Sequence, residues 1–457
     1  MLLVPSTLKL LASLLAVAGA TRPSLGPEKA AVELSATPAT QPTLVGYWHN
    51  FHSSVTGATF PLGQVITTEW DVVNVAYATH YAHGMVGFVL DPAAGSIDGF
   101  INDIATLKAA GKTVVLSVGG PNGTMALASK AEVGTFVSSI ADLVATYGFD
   151  GIDLSIEKGL AGSGAVSNLV AAVKKLKRKL GASFYVSLAP YYPLVQSGGG
   201  QASVRNGRGG GSAKAKMTAV ASSSAQCLTL LDGLRDELDL VHVRYFGSNS
   251  GLVLPDDQVV TEGTVDILVG GSLMLLEGCR YTNPSAKSKA ATQFQPLPPH
   301  QVGFGVSLGG GFNHPDSTTV QRALTCLVQG SGCGTITPKT TYADFGGIMG
   351  WSVNLDKFGG YSFSKAVRTT LDDLTTPSND ADENDEVTED PKFDDSAADW
   401  IEANSAAQSG AIRAALPFLK PIPSKYTEGH GPGNADGISD SGKDKLVSQW
   451  GDKGRLE

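Results

Sequence analysis

The stretch that decides the fold is GFDGIDLSIE, residues Gly148–Glu157. Its apolar positions predict a buried β-strand, and acidic residues recur along it. Successive side chains of a strand alternate between its two faces, so Asp153, Ser155 and Glu157 are predicted to share one face. Buried carboxylates in a row repel one another and are costly without partners. Such a strand is therefore kept mainly where chemistry requires acids, and the alternative is a polar core that binds no ligand.

Apolar segments rich in β-branched residues recur on both sides of this strand and alternate with amphipathic segments. Eight such segments separated by helices over about 330 residues predict an α/β fold, a closed (β/α)8 TIM barrel. An open, doubly wound parallel sheet is the rival interpretation. The predicted strands are Leu44–Trp48, Val72–Ala78, Thr113–Val118, Gly151–Ile156, Phe184–Ala189, Leu240–Phe246, Val302–Leu308 and Gly347–Val353. The predicted helices include Ile97–Ala110, Lys130–Tyr147, Ala165–Leu180 and Tyr361–Leu374.

The N-terminus has the composition of a secretory signal peptide, predicted over residues 1–20. Lys9 precedes the apolar run Leu10–Val17, and Ala18-Gly19-Ala20 offers a small-residue cleavage site. The run is too short to span a bilayer, and no later stretch is long and apolar enough. We therefore expect a secreted, extracellular protein that has no membrane partner.

Composition sets the remaining boundaries. Residues 21–42 predict a linker or propeptide, residues 43–375 the barrel, and residues 376–457 an acidic, largely disordered tail. Residues 196–226 form a Gly/Ser/Ala-rich insertion after the fifth predicted strand.

The hydrophobic fraction of 42% supports a sizeable core, and the net charge of −9 argues against a nucleic-acid partner. We expect a monomer.

Four cysteines are compatible with disulfides in a secreted protein. Cys326 and Cys333 flank a Gly-Ser-Gly turn and are the predicted pair, whereas Cys227 and Cys279 either pair or stay as buried thiols. The spacing does not resemble a zinc site, and no glycine-rich phosphate loop follows a strand and opens a helix. We therefore expect neither a metal nor a cofactor.

Motifs at several strand ends occur together and in a characteristic order. They are the acidic strand, VGYWHNF at Val45–Phe51, LSVGG at Leu116–Gly120 and MGWSVN at Met349–Asn354. In this combination the chain resembles the family 18 glycoside hydrolases, whose typical members are chitinases. The likeness covers about Thr43 to Leu374 and is nearest to the type without a large inserted α+β subdomain.

The resemblance implies a substrate-assisted mechanism on chitin or N-acetylglucosamine oligosaccharides. Glu157 would protonate the glycosidic oxygen, Asp153 would stand behind the orienting position, and Asp150 would complete the acidic set of catalytic residues. Trp351 would form the floor beneath the sugar, since an aromatic face stacks on apolar C–H faces. The other expected substrate-binding residues are Tyr47, Ser117, Ser155, Tyr191, Arg244, Tyr245 and Phe246.

Several positions depart from the family pattern. Ser155 stands where an Asp normally orients the acetamido group, and serine carries no negative charge. In the sixth predicted strand, Phe246 lacks the expected phenol, Gly247 replaces an amide or acid, and Arg244 adds a positive charge. In the fifth, Tyr191 stands where Glu is common.

These departures leave three hypotheses. The first is a chitinase-like barrel that binds the sugar while its hydrolysis is weak or absent. The second is a working endochitinase with a reorganised site. The third is an interaction or inhibitor module that uses the barrel as a scaffold.

Overall fold

The computed structural model describes residues 42–120, 123–160, 164–195, 225–247, 251–282, 291–309 and 314–375. The predicted signal peptide, all but residue 42 of the predicted linker, the acidic tail and most of the Gly/Ser-rich insertion lie outside the described residues.

Eight parallel strands form a closed barrel, which confirms the predicted fold class. The strands are β1 (Thr43–His49), β2 (Val72–His80), β3 (Thr113–Gly119), β4 (Gly151–Ser155), β5 (Tyr185–Leu188), β6 (Leu240–Arg244), β7 (Val302–Ser307) and β8 (Gly347–Trp351). Hydrogen bonding joins them in the order β1–β8–β7–β6–β5–β4–β3–β2, and β1 pairs with β2 to close the ring. Val45 pairs with Met349 on one side and with Val72 on the other, so no edge of the barrel is left unpaired.

Helices cover the outside of the barrel, and their ends follow local capping signals. Ser129 accepts a hydrogen bond from the amide of Glu132 at the start of the helix Lys130–Tyr147, and Gly148 ends that helix at φ 82°. The amphipathic helices bury their apolar stripe against the strands. The helices are α1 (Ile97–Ala109), α2 (Lys130–Tyr147), α3 (Ala165–Leu180), α4 (residues 225–234), α5 (Val265–Leu276), α6 (Ser317–Gln329), α7 (Val353–Phe358) and α8 (Ser362–Thr375).

Short elements decorate this frame. A 3-10 helix at Leu62–Thr67 takes the place of a helix between β1 and β2, and others lie at Ala82–Gly84, Pro92–Ala94, Tyr192–Leu194 and Pro299–Gln301. Between β6 and β7, the described residues add two small hairpins on either side of α5, Leu252–Val253 with Val259–Val260 and Cys279–Thr282 with Ala291–Phe294. A two-residue strand at Val86–Gly87 pairs with the end of β2. No helix within the described ranges has the length and apolarity needed to cross a membrane.

One disulfide closes a loop after α6. Cys326 and Cys333 are bonded, with Cα atoms 4.8 Å apart, as predicted. Cys227 and Cys279 are free and buried. Burial raises the pKa of the Cys227 thiol to about 12 and that of Cys279 to about 11, so both are inert core thiols at neutral pH.

Candidate active site

Alternation along the strands gives the barrel a polar interior. Asp153 and Ser155 point inward from β4 and are 0% and 1% exposed, while Ile152 and Leu154 pack outward into the helical layer. The predicted shared face of Asp153 and Ser155 is therefore confirmed. Glu157 follows the end of β4 and lies at the C-terminal mouth, where TIM barrels form their sites.

Asp153 is the centre of a buried hydrogen-bond network. Its carboxylate accepts from Tyr47 Oη at 2.6 Å and from Ser117 Oγ at 2.6 Å. It also accepts from Ser187 Oγ at 2.8 Å, and His242 Nε2 lies 3.4 Å away. Burial alone would raise the pKa of Asp153, but His242 and the two hydroxyls of Ser117 and Tyr47 outweigh it and lower that pKa. The barrel therefore holds Asp153 as a fixed, fully engaged carboxylate.

Trp351 lies on an aromatic platform at the end of β8. Its ring stacks on Tyr77 at 5.8 Å and 16°, and contacts Tyr47 at 5.3 Å. His49 packs against Trp351 at 4.7 Å and stacks on Phe51 at 4.6 Å. Three rings thus contact the indole, which suits a rigid floor for a sugar ring.

Burial sets the protonation of this platform. The pKa of Tyr47 is raised well above its usual value, first by burial and then by the charge of Asp153. Tyr77 is shifted in the same direction, mainly by burial. Both nitrogens of His49 are buried and have no hydrogen-bond partner in the part of the chain that the structure describes, and burial lowers the pKa of His49 to about 3. All three rings are neutral at physiological pH.

Glu157 forms an ion pair with Arg244. Arg244 Nη1 donates to Glu157 Oε1 at 2.9 Å, and the two side chains are 7% and 21% exposed. Burial alone would lower the pKa of Arg244, but Glu157 and the phenols of Tyr77 and Tyr47 outweigh it and raise that pKa. The predicted acid is therefore held by a permanent, buried cation.

Three further expected residues lie around this pair. The Ser155 hydroxyl is buried without a hydrogen-bond partner among the described residues, although it lies close enough to Tyr77 to affect that phenol's pKa. The Arg244 guanidinium lies over the Tyr191 ring, 5.7 Å from its centroid. Phe246, two residues beyond Arg244, belongs to the same apolar cluster as Trp351.

Tyr245 does not join the site. Its ring is 1% exposed and stacks on Tyr192, and a Cβ at Gly271 of α5 would meet its hydroxyl at 2.3 Å. It therefore fills the layer between barrel and helices, because it has the opposite strand parity to Arg244 and Phe246. The expected sugar contact from Tyr245 is corrected to a core role.

Asp150 is also removed from the candidate catalytic set. It precedes β4 at the N-terminal end of the barrel, where its carboxylate accepts from the amide of Val114 at 2.9 Å and pairs with Lys108 at 2.8 Å. Asp153 is three residues further on, so the two carboxylates leave the strand on opposite faces. Asp150 ties α1 and β3 to the foot of β4.

The residues added by the structure are His242, Ser187, Tyr77 and His49. His242 precedes Arg244 by two positions and Ser187 pairs in register with Asp153, so strand parity within the predicted strands could have found both. Strand alternation does not predict the position of Tyr77, because β2 shifts register between Ala76 and Ala78 and this shift turns the Tyr77 ring inward.

Within the described ranges, no cluster of three or more histidine, cysteine or acidic residues could hold a metal ion. The chemistry available here is that of a carboxylate, a guanidinium, hydroxyls and aromatic faces.

Comparison with known proteins shows which proteins this chain resembles. Residues 43–197 match the model of glycosyl hydrolases family 18. Chitinase Chi52 of Paenibacillus xylanexedens is 32% identical over 353 residues, which are 73% of this chain and 62% of that protein. A probable class II chitinase of Arthroderma benhamiae is 32% identical over 332 residues, 67% of this chain and 93% of that protein. This chain thus spans about three fifths of the Paenibacillus protein and nearly all of the Arthroderma protein.

Solved structures agree. A family 18 chitinase from Chromobacterium violaceum is 40% identical, with a TM-score of 0.63, over 75% of this chain and 91% of that one. The structure titled putative chitinase A from Streptomyces coelicolor is 28% identical, with a TM-score of 0.58, over 73% of this chain and 99% of that one. The 32% identity over 93% of the Arthroderma protein, the match of residues 43–197 to the family model and the shared barrel lead to one conclusion: this chain belongs to glycosyl hydrolase family 18.

Proposed function

We propose that this protein binds chitin or N-acetylglucosamine oligosaccharides and hydrolyses them weakly or not at all. One observation carries the proposal. Glu157, which the resemblance makes the proton donor, is ion-paired with Arg244 at 2.9 Å, while a hydroxyl occupies position 155 beside it.

Substrate-assisted cleavage needs a proton on the glycosidic oxygen and an oriented acetamido group. Arg244 Nη1 occupies Glu157 Oε1, so Glu157 must leave a charge-assisted hydrogen bond, which is among the stronger kinds in proteins, before that oxygen can reach a glycosidic oxygen. Ser155 offers no negative charge to the cationic intermediate that forms when the acetamido oxygen attacks. Removing one preorganised polar group at a developing charge costs about 10²–10³ in rate. Such losses are not additive within one site, and two of them support a deficit on the order of 10³ or more.

Sugar binding depends on different residues, the aromatic side chains, and these are present in the site. The Trp351 ring and its supports Tyr77 and Tyr47 form a rigid aromatic platform. Stacking of a sugar on an aromatic face requires neither the proton nor the attacking group. Ground-state affinity is therefore expected to survive where catalysis is lost.

An active endochitinase is the second candidate. The complete set of hydroxyl contacts around Asp153 favours it, because such a network is costly to keep without use. The similar proteins are named chitinases, which favours it as well. In that case Arg244 would have to release Glu157 when the sugar binds.

One sample separates the candidates. Purified protein is titrated calorimetrically with N-acetylglucosamine oligomers, and the same mixture is then examined for cleaved products. Saturable binding without products supports the proposal, whereas turnover near that of ordinary chitinases refutes it. If products form, Glu157→Gln must abolish them for the endochitinase to stand. If no N-acetylglucosamine oligomer binds, the remaining hypothesis is the non-catalytic interaction or inhibitor module.

We also propose that the protein is exported. The signal-like residues 1–20 and the Cys326–Cys333 disulfide support this, since disulfides persist in oxidising compartments. Fractionation of an expressing culture tests it, and retention of the full-length chain inside the cells would contradict it.

A further inference from the structure

The C-terminal part of α3 carries a dense group of positive charges. Five of its last seven residues are basic: Lys174, Lys175, Lys177, Arg178 and Lys179. Helical spacing puts Lys175, Arg178 and Lys179 on one exposed face, called the cationic face below. Like charges three or four positions apart on a helix repel one another. The helix dipole favours cations in the last turn, where Arg178 and Lys179 lie, but Lys175 precedes that turn.

Nearby acids neutralise the rest of this basic group but not the cationic face. Lys174 Nζ lies 3.7 Å from Glu237 Oε1, and Lys177 Nζ lies 2.9 Å from Asp239 Oδ2. Within the described ranges, no residue of the cationic face forms an ion pair. An anionic partner would therefore relieve the repulsion on this face.

The chain itself contains an anionic segment outside the described residues. Residues 380–399 hold ten acidic residues and one basic residue, Lys392, so their net charge is −9. The whole sequence has the same net charge, −9, so all other residues together are neutral. The unbalanced negative charge of the protein thus lies in this acidic segment, residues 380–399.

The cationic end of α3 and the start of the acidic segment lie at the same end of the barrel. Asp239, the partner of Lys177, precedes β6 and accepts from the amide of Val186 in β5. Arg368 of α8 donates to the carbonyl of Glu69, which precedes β2. Since α8 continues for nearly two turns beyond Arg368, the chain leaves it at the N-terminal end of the strands.

The acidic segment is long enough to reach the cationic face. The helix α3 connects β4 to β5, across the barrel from β8 and β1. A domain of about 330 residues is about 50 Å across. Residues 376–399 can span up to about 80 Å. Because the segment is tethered, its effective concentration at the face is on the order of a millimolar, which favours it over a separate acidic partner.

We propose that residues 380–399 dock on the cationic face of α3. The interaction surface is formed by Lys175, Arg178 and Lys179, and its partner is the acidic segment of the same chain. This docking does not depend on the activity proposed above. Exposed ion pairs are individually weak and are screened by salt, so the docking needs several of them at once and is salt-sensitive.

Zero-length crosslinking of the full-length protein tests the docking. A carbodiimide joins a lysine amine to a carboxylate that touches it, and mass spectrometry identifies the two residues. Lys365 is the control amine, because it is exposed on α8, is closer along the chain to the acidic segment, and has no ion pair in the described part of the chain. The ion pair of Lys108 and Asp150, at 2.8 Å, is the internal standard for the yield.

The wild type is compared at two salt concentrations. At about 10 mM salt, charges act over about 30 Å. We expect Lys175 and Lys179 to be joined to residues 380–399, within single chains, about fivefold more often than Lys365 or better. At about 1 M salt the range falls to about 3 Å, and this excess should disappear.

A charge variant identifies the face. Arg178→Gln removes one charge and leaves both reactive amines, so it should lower the excess by about twofold to fivefold. Arg322→Gln is the matched control, because Arg322 is an exposed arginine of α6 that donates to loop carbonyls at 3.2 and 3.3 Å. It should leave the excess unchanged.

The contrary results are distinct. Yields at Lys175 and Lys179 no higher than at Lys365, an excess that persists at 1 M salt, or no effect of Arg178→Gln would overturn the docking. Crosslinks confined to covalent dimers would make a second copy the occupant and the proposal wrong. Crosslinks of these lysines to added polyglutamate, but not to residues 380–399, would likewise overturn it and assign the face to a separate anionic partner.

Discussion

His49 makes the aromatic platform acid-sensitive, and this can be measured. The imidazole is 0% exposed, neither nitrogen has a hydrogen-bond partner within the described ranges, and the ring packs against Phe51 and Trp351. Burial lowers its pKa from 6.5 to about 3 in the folded protein. In the unfolded chain the ring regains an ordinary pKa.

The sign of the effect follows from proton counting. Between about pH 6.5 and pH 3 the unfolded chain carries a proton on His49 and the folded chain does not. The unfolded state therefore binds more protons, and the free energy of unfolding falls as the pH is lowered. The gap of about 3.5 pH units, at about 1.36 kcal/mol per unit, corresponds to about 5 kcal/mol once the pH is below 3. Between pH 7 and pH 5 the expected loss is about 2 kcal/mol.

The assay is denaturant unfolding at a series of pH values, followed through the tryptophan fluorescence. His49→Phe keeps an aromatic ring in the stack but has nothing to protonate, so its free energy of unfolding should fall less steeply below pH 6.5. The readout is the difference in slope, because the larger ring can also change the stability by a constant amount through overpacking. His52→Gln, at an exposed position, reports what the loss of any imidazole does to the slope. Parallel curves for the wild type and His49→Phe would refute the reasoning.

Two further predictions concern the hydrogen bonds of Asp153 and the Cys326–Cys333 disulfide. Asp153→Asn should destabilise the protein by about 3 kcal/mol, because the hydrogen bonds that Tyr47 and Ser117 donate to the carboxylate lose their charge assistance. Denaturant unfolding at pH 7 measures this loss. Cys326→Ser with Cys333→Ser should lower the free energy of unfolding by about 2–3 kcal/mol, the cost of opening a short loop, and a reduced wild type should show the same loss.

The strands and helices could be predicted because their signals are local. All eight predicted strands are present, and Lys130–Tyr147 and Ala165–Leu180 have the observed helix ends. Capping explains this accuracy: Ser129 and Gly148 bracket α2, and glycines bracket α3. Parity also placed Asp153 and Ser155 correctly on one inner face.

The site was harder to predict because it depends on contacts between strands that are distant in sequence. The ion pair of Arg244 and Glu157 joins residues 87 positions apart, one at the end of β6 and one just after β4, and no local pattern specifies it. Asp150 and Tyr245 fail for another reason. Their strand parity already placed them on the outer face, but the family resemblance drew them into the site.

The substitutions at positions 155 and 244 act as a pair, and this can be tested with a double-mutant cycle. Arg244 and Ser155 both act on the Tyr77 phenol, so an Asp at position 155 would be attracted to the Arg244 cation, and Ser155→Asp alone should hold the new acid there rather than orient the acetamido group. Arg244→Met alone frees Glu157 but leaves no acid at position 155 to orient the sugar.

Each single change should therefore raise hydrolysis little, and the two together should exceed the product of the single effects by about tenfold or more, since residues of one polar network couple by about 0.5–3 kcal/mol. The cycle is measured as product formation from the N-acetylglucosamine tetramer at equal enzyme concentration. The control is Ser155→Asp in the Arg322→Met background, because Arg322 bonds loop carbonyls after α6. If the activity of the double variant equals the product of the two single effects, Arg244 and position 155 act independently. The low hydrolytic activity would then have to be explained without the ion pair of Arg244 and Glu157.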